Sequence, residues 1–247
     1  MLDALQEPGI MNDLSDNRDK QLSATGLDAR CPGDTAAHAA KSLTDNVQRA
    51  TRRWIEQVVV GFGFCPYAAA VLERENALAI EVCDSVEVCD SVEVCDSVSP
   101  GDSADNPPGD EDVALQQFRS MARQMAECPD PETALLVVPQ GLENFEHYLD
   151  FLAEAEHLLQ LEQLTGVLQL ASFHPDYRFD SSPIDDPANF TNRSPFPMLH
   201  ILREESVERQ IGSGEFAASI PERNIETARS KGFDVMLAAL RSCSEFQ

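Results

Sequence analysis

The residues best suited to chemistry lie in one stretch, residues 171–206, which reads ASFHPDYRFDSSPIDDPANFTNRSPFPMLHILREES. It follows a short apolar segment and combines two histidines, three arginines and several acids with five prolines. Histidine exchanges protons near neutral pH, and the arginine fork binds carboxylates and phosphates. This stretch is therefore where we expect catalysis or binding.

Anion capture is one chemistry that these residue types suggest. Three arginines form a local cationic cluster in an acidic chain: Arg178, Arg193 and Arg203. Asn192 and Ser194 flank the middle one and are predicted to bind substrate with it. The alternative is that these arginines pair with the acidic residues close to them in sequence, which would leave no anion site.

Thiol chemistry is a second possibility, centred on Cys65. Pro66 marks a helix start, so Cys65 would be the N-cap, where the helix dipole and free N–H groups stabilise a thiolate. If this segment folds against His174 or His200, a Cys-His pair results, with Asp176 as the orienting acid. The alternative is that Cys65 is a small buried hydrophobe beside a helix-starting proline.

Metal binding is a third possibility, because His174, Asp176, His200 and Glu204 are suitable ligand types. His200 and Glu204 would share a face if their segment were helical. The spacing matches no known metal signature. The alternative for His174 is a structural His-Pro-Asp turn in which Asp176 caps a backbone N–H.

The elements that must position these residues follow from hydrophobic periodicity. Helices are predicted at 46–60, 66–74, 113–127 and 142–164, and strands at 77–82, 134–139 and 166–172. This βαβαβ order predicts an α/β fold, a single domain at 46–240 with three or four mostly parallel strands covered by helices. Ligands bind outside the carboxyl ends of strands in open α/β sheets, which is where the 173–195 loop would lie.

The segment after this loop has two interpretations. Residues 197–211 fit a helix of about four turns, with a partial apolar stripe. The rival is a strand at 198–202 followed by a helix, which would add a fourth strand. Residues 213–221 are predicted as a linker, and residues 221–240 as a final helix that is interrupted at Gly232.

Three further segments are predicted to lie outside the folded core. Residues 1–45 are polar without a sustained period, which is typical of a disordered leader. EVCDSV occurs three times between residues 81 and 98. With the acidic residues that follow, it predicts a flexible insertion at 83–112. Residues 241–247 are taken as a tail.

Composition excludes several functions. The formal net charge is -25 and the chain has only three lysines, so nucleic acid and anionic membranes are not expected partners. No stretch approaches 18 consecutive apolar residues, which argues against a membrane span. Seven cysteines without a regular framework or a secretory leader predict reduced thiols in a cytoplasm.

Four sequence segments also resemble a known family. SFHPDYRF, DDPANFTNRSPFPMLHILREESVER, GFCPYA and LLVVP are similar to the bacterial family called domain of unknown function 1415. The resemblance covers about residues 46–240. It implies a single domain, and it brings no activity, cofactor or assigned site.

The leading functional hypothesis is a small enzyme for an anionic small molecule. Arg178 and Arg193 would clamp the anion, His174 would be the general acid or base, and Cys65 the nucleophile or His200 a second base. The alternatives are a non-catalytic ligand-binding or interaction module, and a metal-dependent enzyme that uses both histidines. The sequence decides neither whether the chain is an enzyme nor its cofactor or oligomeric state.

Overall fold

The computed structural model describes residues 32–83, 110–180, 182–212 and 215–244. The helices are α1 (Pro32–Trp54), continued by a π-helix (Ile55–Val60), α2 (Pro66–Leu72), α3 (Asp110–Glu127), α4 (Phe145–Leu161), a 3₁₀ helix (Pro187–Thr191), α5 (Glu204–Ile211), α6 (Glu215–Lys231) and α7 (Phe233–Ser244). The strands are β1 (Leu78–Val82), β2 (Thr133–Val137), β3 (Leu168–Phe173) and β4 (Met198–Arg203).

The four strands form one mixed sheet in the order β1-β2-β4-β3. β1 and β2 pair in parallel, and β4 pairs antiparallel with both β2 and β3. Three strands therefore run in the same direction, and the fourth is inserted between two of them. The predicted single α/β domain with helices over its sheet is confirmed.

The helix predicted at 197–211 is wrong, and the rival interpretation is right: Met198–Arg203 is a strand and α5 follows it directly. Leu199 and Ile201 pack on the side of α3 and α4, whereas Met198 and Leu202 pack on the opposite side. A central strand is apolar on both faces, so its sequence lacks the alternation that would distinguish it from a buried helix.

Helices cover both faces of the sheet, which makes three layers. On one face, Leu136 and Ile201 pack against Phe118 of α3 and Tyr148 of α4. On the other face lie α1, the π-helix and α7, whose buried side chains include Trp54. A smaller apolar cluster on this second face joins α2 and α5: Tyr67, Val71, Ala77 and Leu202, with Val207 and Ile211 beside them.

The structure also corrects two predicted boundaries. Residues 215–221, predicted as linker, are the first turns of α6, and Pro221 lies inside that helix. Gly232, at φ +84°, separates α6 from α7, so the predicted interruption is confirmed. A left-handed backbone of this kind suits glycine because it has no Cβ.

The ends of the predicted domain can be compared only in part. Helix α1 begins at Pro32, so residues 32–45, which were assigned to the leader, are helical. Residues 1–31 and most of the predicted acidic insertion lie outside the described residues. Residues 241–244 belong to α7, and the rest of the predicted tail is not described. Among the described helices, none is long and apolar enough to cross a membrane.

Candidate functional site

A cavity of about 230 Å³ lies between the sheet and the helices of its α1 face. Its walls come from the end of α1, the π-helix, α2, α5 and all four strands: Trp54, Ile55, Val59, Cys65, Tyr67, Ala68, Val71, Leu72, Leu78, Thr133, Leu135, Gln169, Ala171, Phe173, His200, Leu202, Val207 and Ile211. None of these side chains carries a formal charge at neutral pH. The cavity is therefore mainly apolar, with a few polar atoms among the hydrocarbon.

The π-helix gives the cavity part of its wall through Ile55 and Val59. Its wider turns are visible in two hydrogen bonds between residues five apart, from Gly61 N–H to the Glu56 carbonyl (3.1 Å) and from Phe64 N–H to the Val59 carbonyl (2.8 Å). Single π-turns inside helices are frequent at functional sites. The helix widens here at the point where it borders the cavity.

His200 is the polar residue with the best-defined geometry in the cavity. Its Nε2 lies 2.6 Å from the hydroxyl oxygen of Thr133, and that hydroxyl lies 2.8 Å from the carbonyl oxygen of Ile201. His200 is partly buried, and desolvation of its imidazole lowers the pKa of His200 to about 4. At neutral pH His200 is therefore uncharged.

Cys65 lines the same cavity as His200, whereas His174, the other predicted partner, does not. Cys65 is the N-cap of α2 and has extended backbone, with Pro66 as the first helical residue, as predicted. Burial raises the pKa of the Cys65 thiol, and the nearby N–H groups of Ala68 and Tyr67 offset only part of this effect. The thiol is thus protonated at neutral pH, unlike the thiolate expected at a helix N-terminus.

Tyr67 closes one side of the cavity through a polar network. Its hydroxyl donates to Glu132 (3.3 Å), and Glu132 also forms an ion pair with Arg74. Burial, together with the Glu132 carboxylate, raises the pKa of Tyr67 to about 12. The phenol therefore stays neutral, and its hydroxyl proton is used in the hydrogen bond to Glu132.

His174 lies away from this cavity, on the opposite side of the sheet. Its ring packs 5.2 Å from Phe145 and 5.1 Å from Tyr148, both of α4. Its neighbour Phe173 faces the other way, at 5.1 Å from Trp54 and 6.2 Å from His200. Because successive side chains alternate between the faces of a strand, His174 and His200 are separated by the sheet.

Both ring nitrogens of His174 are occupied by the backbone. Nδ1 accepts the N–H of Asp176 at 3.0 Å, so Nε2 carries the proton and donates to the carbonyl of Leu142 at 2.9 Å. Burial lowers the pKa of this buried histidine. Asp176 contributes its backbone N–H to this turn, and its side chain is exposed. The His-Pro-Asp turn of the structural interpretation is thus present. The cap differs from the prediction, because the His174 side chain accepts the backbone N–H of Asp176.

Arg193 is buried and organises the loop from within. Its Nε donates to the Tyr177 carbonyl (3.1 Å) and its Nη2 to the Ile184 carbonyl (2.8 Å). Its guanidinium also lies 4.7 Å from the centre of the Phe190 ring. These contacts hold two parts of the 173–196 segment together. Arg178, by contrast, is exposed.

The flanking residues Asn192 and Ser194 also bond backbone. The Asn192 amide donates to the carbonyl of Ser172 (3.0 Å), and the hydroxyl of Ser194, which is fully buried, donates to the carbonyl of Phe196 (2.6 Å). These bonds join the loop to the end of β3 and to the segment before β4. Neither side chain lines the cavity.

Arg203 is the last residue of β4, whereas Arg193 lies before the first residue of this strand. The Nη2 of Arg203 donates to the carbonyls of Cys128 (2.8 Å) and Pro131 (3.3 Å), in the turn before β2. A strand of six residues spans roughly 20 Å. The three arginines are therefore not gathered at one site, because the segment between them is a strand rather than a helix.

The described residues contain no group of three or more His, Cys, Asp or Glu that could hold a metal ion. His200 and Glu204 do not share a helical face, since the first is in β4 and the second begins α5. Sequence reasoning missed Thr133, the hydrogen-bond partner of His200. The sequence signal for Thr133 is weak: it is a hydroxyl residue directly before the apolar run ALLVVP.

The cavity coincides only in part with the predicted position. It includes Phe173, the carboxyl end of β3, but at β1 and β2 it reaches Leu78 and Thr133, the first residues of these strands, rather than their carboxyl ends. Fold and cavity together define the class: a single-domain α/β protein with an uncharged, mainly apolar cavity between a mixed sheet and one helical layer.

The family follows from the comparison of sequences. The model of the family described as protein of unknown function (DUF1415) matches residues 46–98 and 106–238, so the chain belongs to this family. The resemblance seen in the sequence is thereby confirmed. No curated protein and no solved structure matched the chain.

Proposed function

We propose that this protein binds one small, uncharged and mainly apolar molecule in the cavity beside His200. The observation that carries the proposal is the absence of any formally charged side chain among the residues that line the cavity. A charged group that enters such a space loses its hydration without gaining a counter-charge, which is strongly unfavourable. An apolar molecule gains free energy there in proportion to the surface it buries.

The protonation states of the polar lining groups support a neutral ligand. The pKa of His200 is about 4 and that of Tyr67 about 12, and burial raises the pKa of Cys65. All three are uncharged at neutral pH. Arg193, predicted as one of two anion clamps, and Arg203, predicted to bind substrate, donate instead to backbone carbonyls. An anionic ligand at the 173–206 loop stays a prediction that rests on the exposed Arg178.

The size of the cavity limits the ligand. Its volume of about 230 Å³ exceeds the roughly 150 Å³ of an engineered cavity that holds benzene. It is below the roughly 300–1,000 Å³ of pockets for drug-sized molecules. One or two fused rings, or an aliphatic chain of similar bulk, would fill it.

A cavity-filling variant tests this proposal. Ala68 lies on α2 and lines the cavity, so Ala68→Leu places added methyl groups in the ligand's space. Ala153 is an exposed alanine of α4, so Ala153→Leu is the matched control. We expect indole to raise the melting temperature of the wild type and of Ala153→Leu, but not of Ala68→Leu. Equal effects on all three proteins would contradict binding in this cavity.

Acyl transfer through Cys65 is a second candidate, favoured by the presence of Cys65 and His200 in one cavity. The Cys65 sulfur would attack the acyl carbon while its proton passes to Nδ1 of His200. The bond to the leaving group then breaks, and the leaving group takes that proton from the imidazole. A pKa of about 4 makes the neutral imidazole of His200 a weak base for the first proton transfer, and its imidazolium a strong acid for the second.

Incubation with p-nitrophenyl acetate followed by mass spectrometry tests the acyl-transfer candidate. An acetyl group on Cys65 in the wild type, lost in Cys65→Ala and much slower to form in His200→Gln, would support it. Cys128 is exposed, so the variant Cys128→Ala controls for non-specific acetylation of accessible thiols. An acetylation rate at Cys65 that ignores His200 would remove the candidate.

A further inference from the structure

The hydroxyl of Thr133 fixes the position of the proton on His200. The Thr133 oxygen lies 2.8 Å from the Ile201 carbonyl oxygen, which can only accept a hydrogen bond. Two oxygens at this distance need a proton between them, so the single hydroxyl proton points to Ile201. The 2.6 Å contact with His200 must then be a hydrogen bond from Nε2–H to the Thr133 oxygen.

This assignment determines the other ring nitrogen. A neutral imidazole carries one proton, so with Nε2 protonated, Nδ1 holds a lone pair and can only accept. Within the described part of the chain, Nδ1 of His200 makes no hydrogen bond. The fully buried polar side-chain atoms that lack a hydrogen-bond partner do not include this Nδ1, so the atom has accessible surface that a ligand can contact. Nδ1 of His200 is thus an acceptor without a protein donor in a mainly apolar wall.

We propose that the cavity selects ligands that carry an O–H or N–H group, which donates a hydrogen bond to Nδ1 of His200, and that Thr133 is the positioning residue that imposes this choice. The inference rests on the proposed binding function and narrows its ligand class to neutral alcohols, phenols and N–H heterocycles. A ligand without a donor would displace water from Nδ1 and leave the acceptor unpaired. We expect this to weaken its binding by at least about tenfold.

Indole and benzofuran test the inference, because they have nearly the same shape and differ in an N–H donor against an ether oxygen. Titration calorimetry with the full chain would measure both. Indole binding at least about tenfold tighter than benzofuran supports the proposal. Equal affinities would leave the cavity as the binding site and overturn the donor requirement. Binding of neither probe would overturn the binding function itself, and the inference with it.

Variants of Thr133 test its positioning role separately. Thr133→Ser keeps the hydroxyl, and Thr133→Val keeps the shape without it. The ¹⁵N shifts of the His200 ring should show the Nε2–H form in the wild type and Thr133→Ser, and a mixture of the two tautomers in Thr133→Val. The preference for indole should shrink in Thr133→Val alone. An Nδ1–H tautomer in the wild type, or an unchanged preference in Thr133→Val, would overturn the positioning role of Thr133. A merely structural contact would change neither the tautomer nor the preference for indole.

Discussion

The indole N–H of Trp54 donates to the backbone carbonyl of Arg193 at 3.1 Å, and this hydrogen bond joins the end of α1 to the 173–196 segment. Trp54 also contacts the ring of Phe173 and lines the cavity. The loop that carries the most reactive residue types thus supports one wall of the cavity. The buried Arg193 of this loop donates its hydrogen bonds to backbone carbonyls, which helps to give a long irregular segment a fixed shape.

Replacing Arg193 tests this structural role. The guanidinium bonds the carbonyls of Tyr177 and Ile184 and stacks on Phe190, and a lysine ammonium cannot do all three. We expect Arg193→Lys to lower the free energy of unfolding by about 2–4 kcal/mol. The control Arg178→Lys alters an exposed arginine and should change it by less than about 0.5 kcal/mol. Urea denaturation followed by circular dichroism measures both, and similar losses in the two variants would contradict the assignment.

The strands β1, β2 and β3 were predictable because each is a short apolar run between helices of sufficient length. β4 was ambiguous because a strand buried on both faces has no period of two. Which histidine shares a cavity with Cys65 depends on the side of the sheet that each one faces. His174 and Phe173 alternate across the end of β3, and their orientation follows from strand pairing, which involves residues distant in sequence. The π-helix has no sequence signal comparable to a cap or a heptad.

Gly61 makes the π-helical wall possible, and its replacement should remove that wall. A Cβ on Gly61 would lie 2.1 Å from the carbonyl oxygen of Gln57, so the backbone would have to move. We expect Gly61→Ala to destabilise the protein by about 2–4 kcal/mol, which reverses the small gain that alanine usually gives in helices. Ile55 and Val59 would shift with the backbone, so indole affinity should also fall. Thermal unfolding and calorimetry check both effects, and an unchanged or raised melting temperature would contradict the tight packing at Gly61.

The ion pair between Asp186 and Arg229 should make stability depend on acid pH. Arg229, together with the N–H of Ala188 and the hydroxyl of Ser182, lowers the pKa of Asp186 to about 2. The ordinary value is 3.8, so the unfolded chain takes up this proton first as the pH falls. The stabilisation is therefore complete above about pH 4 and is lost between about pH 4 and pH 2.

Two neighbouring aspartates allow a matched test of this pH dependence. Asp186→Asn removes the titrating group, whereas Asp185→Asn changes an exposed aspartate beside it. The stability lost between pH 4 and pH 2 should be smaller in Asp186→Asn than in the wild type, and unchanged in Asp185→Asn. Urea midpoints at a series of pH values give the comparison. Parallel curves for all three proteins would show that the ion pair contributes nothing there.

His200 should affect both stability and binding at mildly acid pH. Burial lowers its pKa from 6.5 to about 4, so the unfolded chain binds this proton first as the pH falls. The folded state loses stability between about pH 6.5 and pH 4 for this reason, and His200→Gln lacks that component. Protonation of Nδ1 also removes the acceptor for a ligand, so indole affinity should fall as the pH approaches 4. An NMR titration of the imidazole C–H signals, with the His200 resonance assigned by its loss in His200→Gln, measures the pKa directly. A midpoint near 6.5 would mean that water hydrates the ring freely, and the uncharged cavity proposed as the binding site would then be wrong.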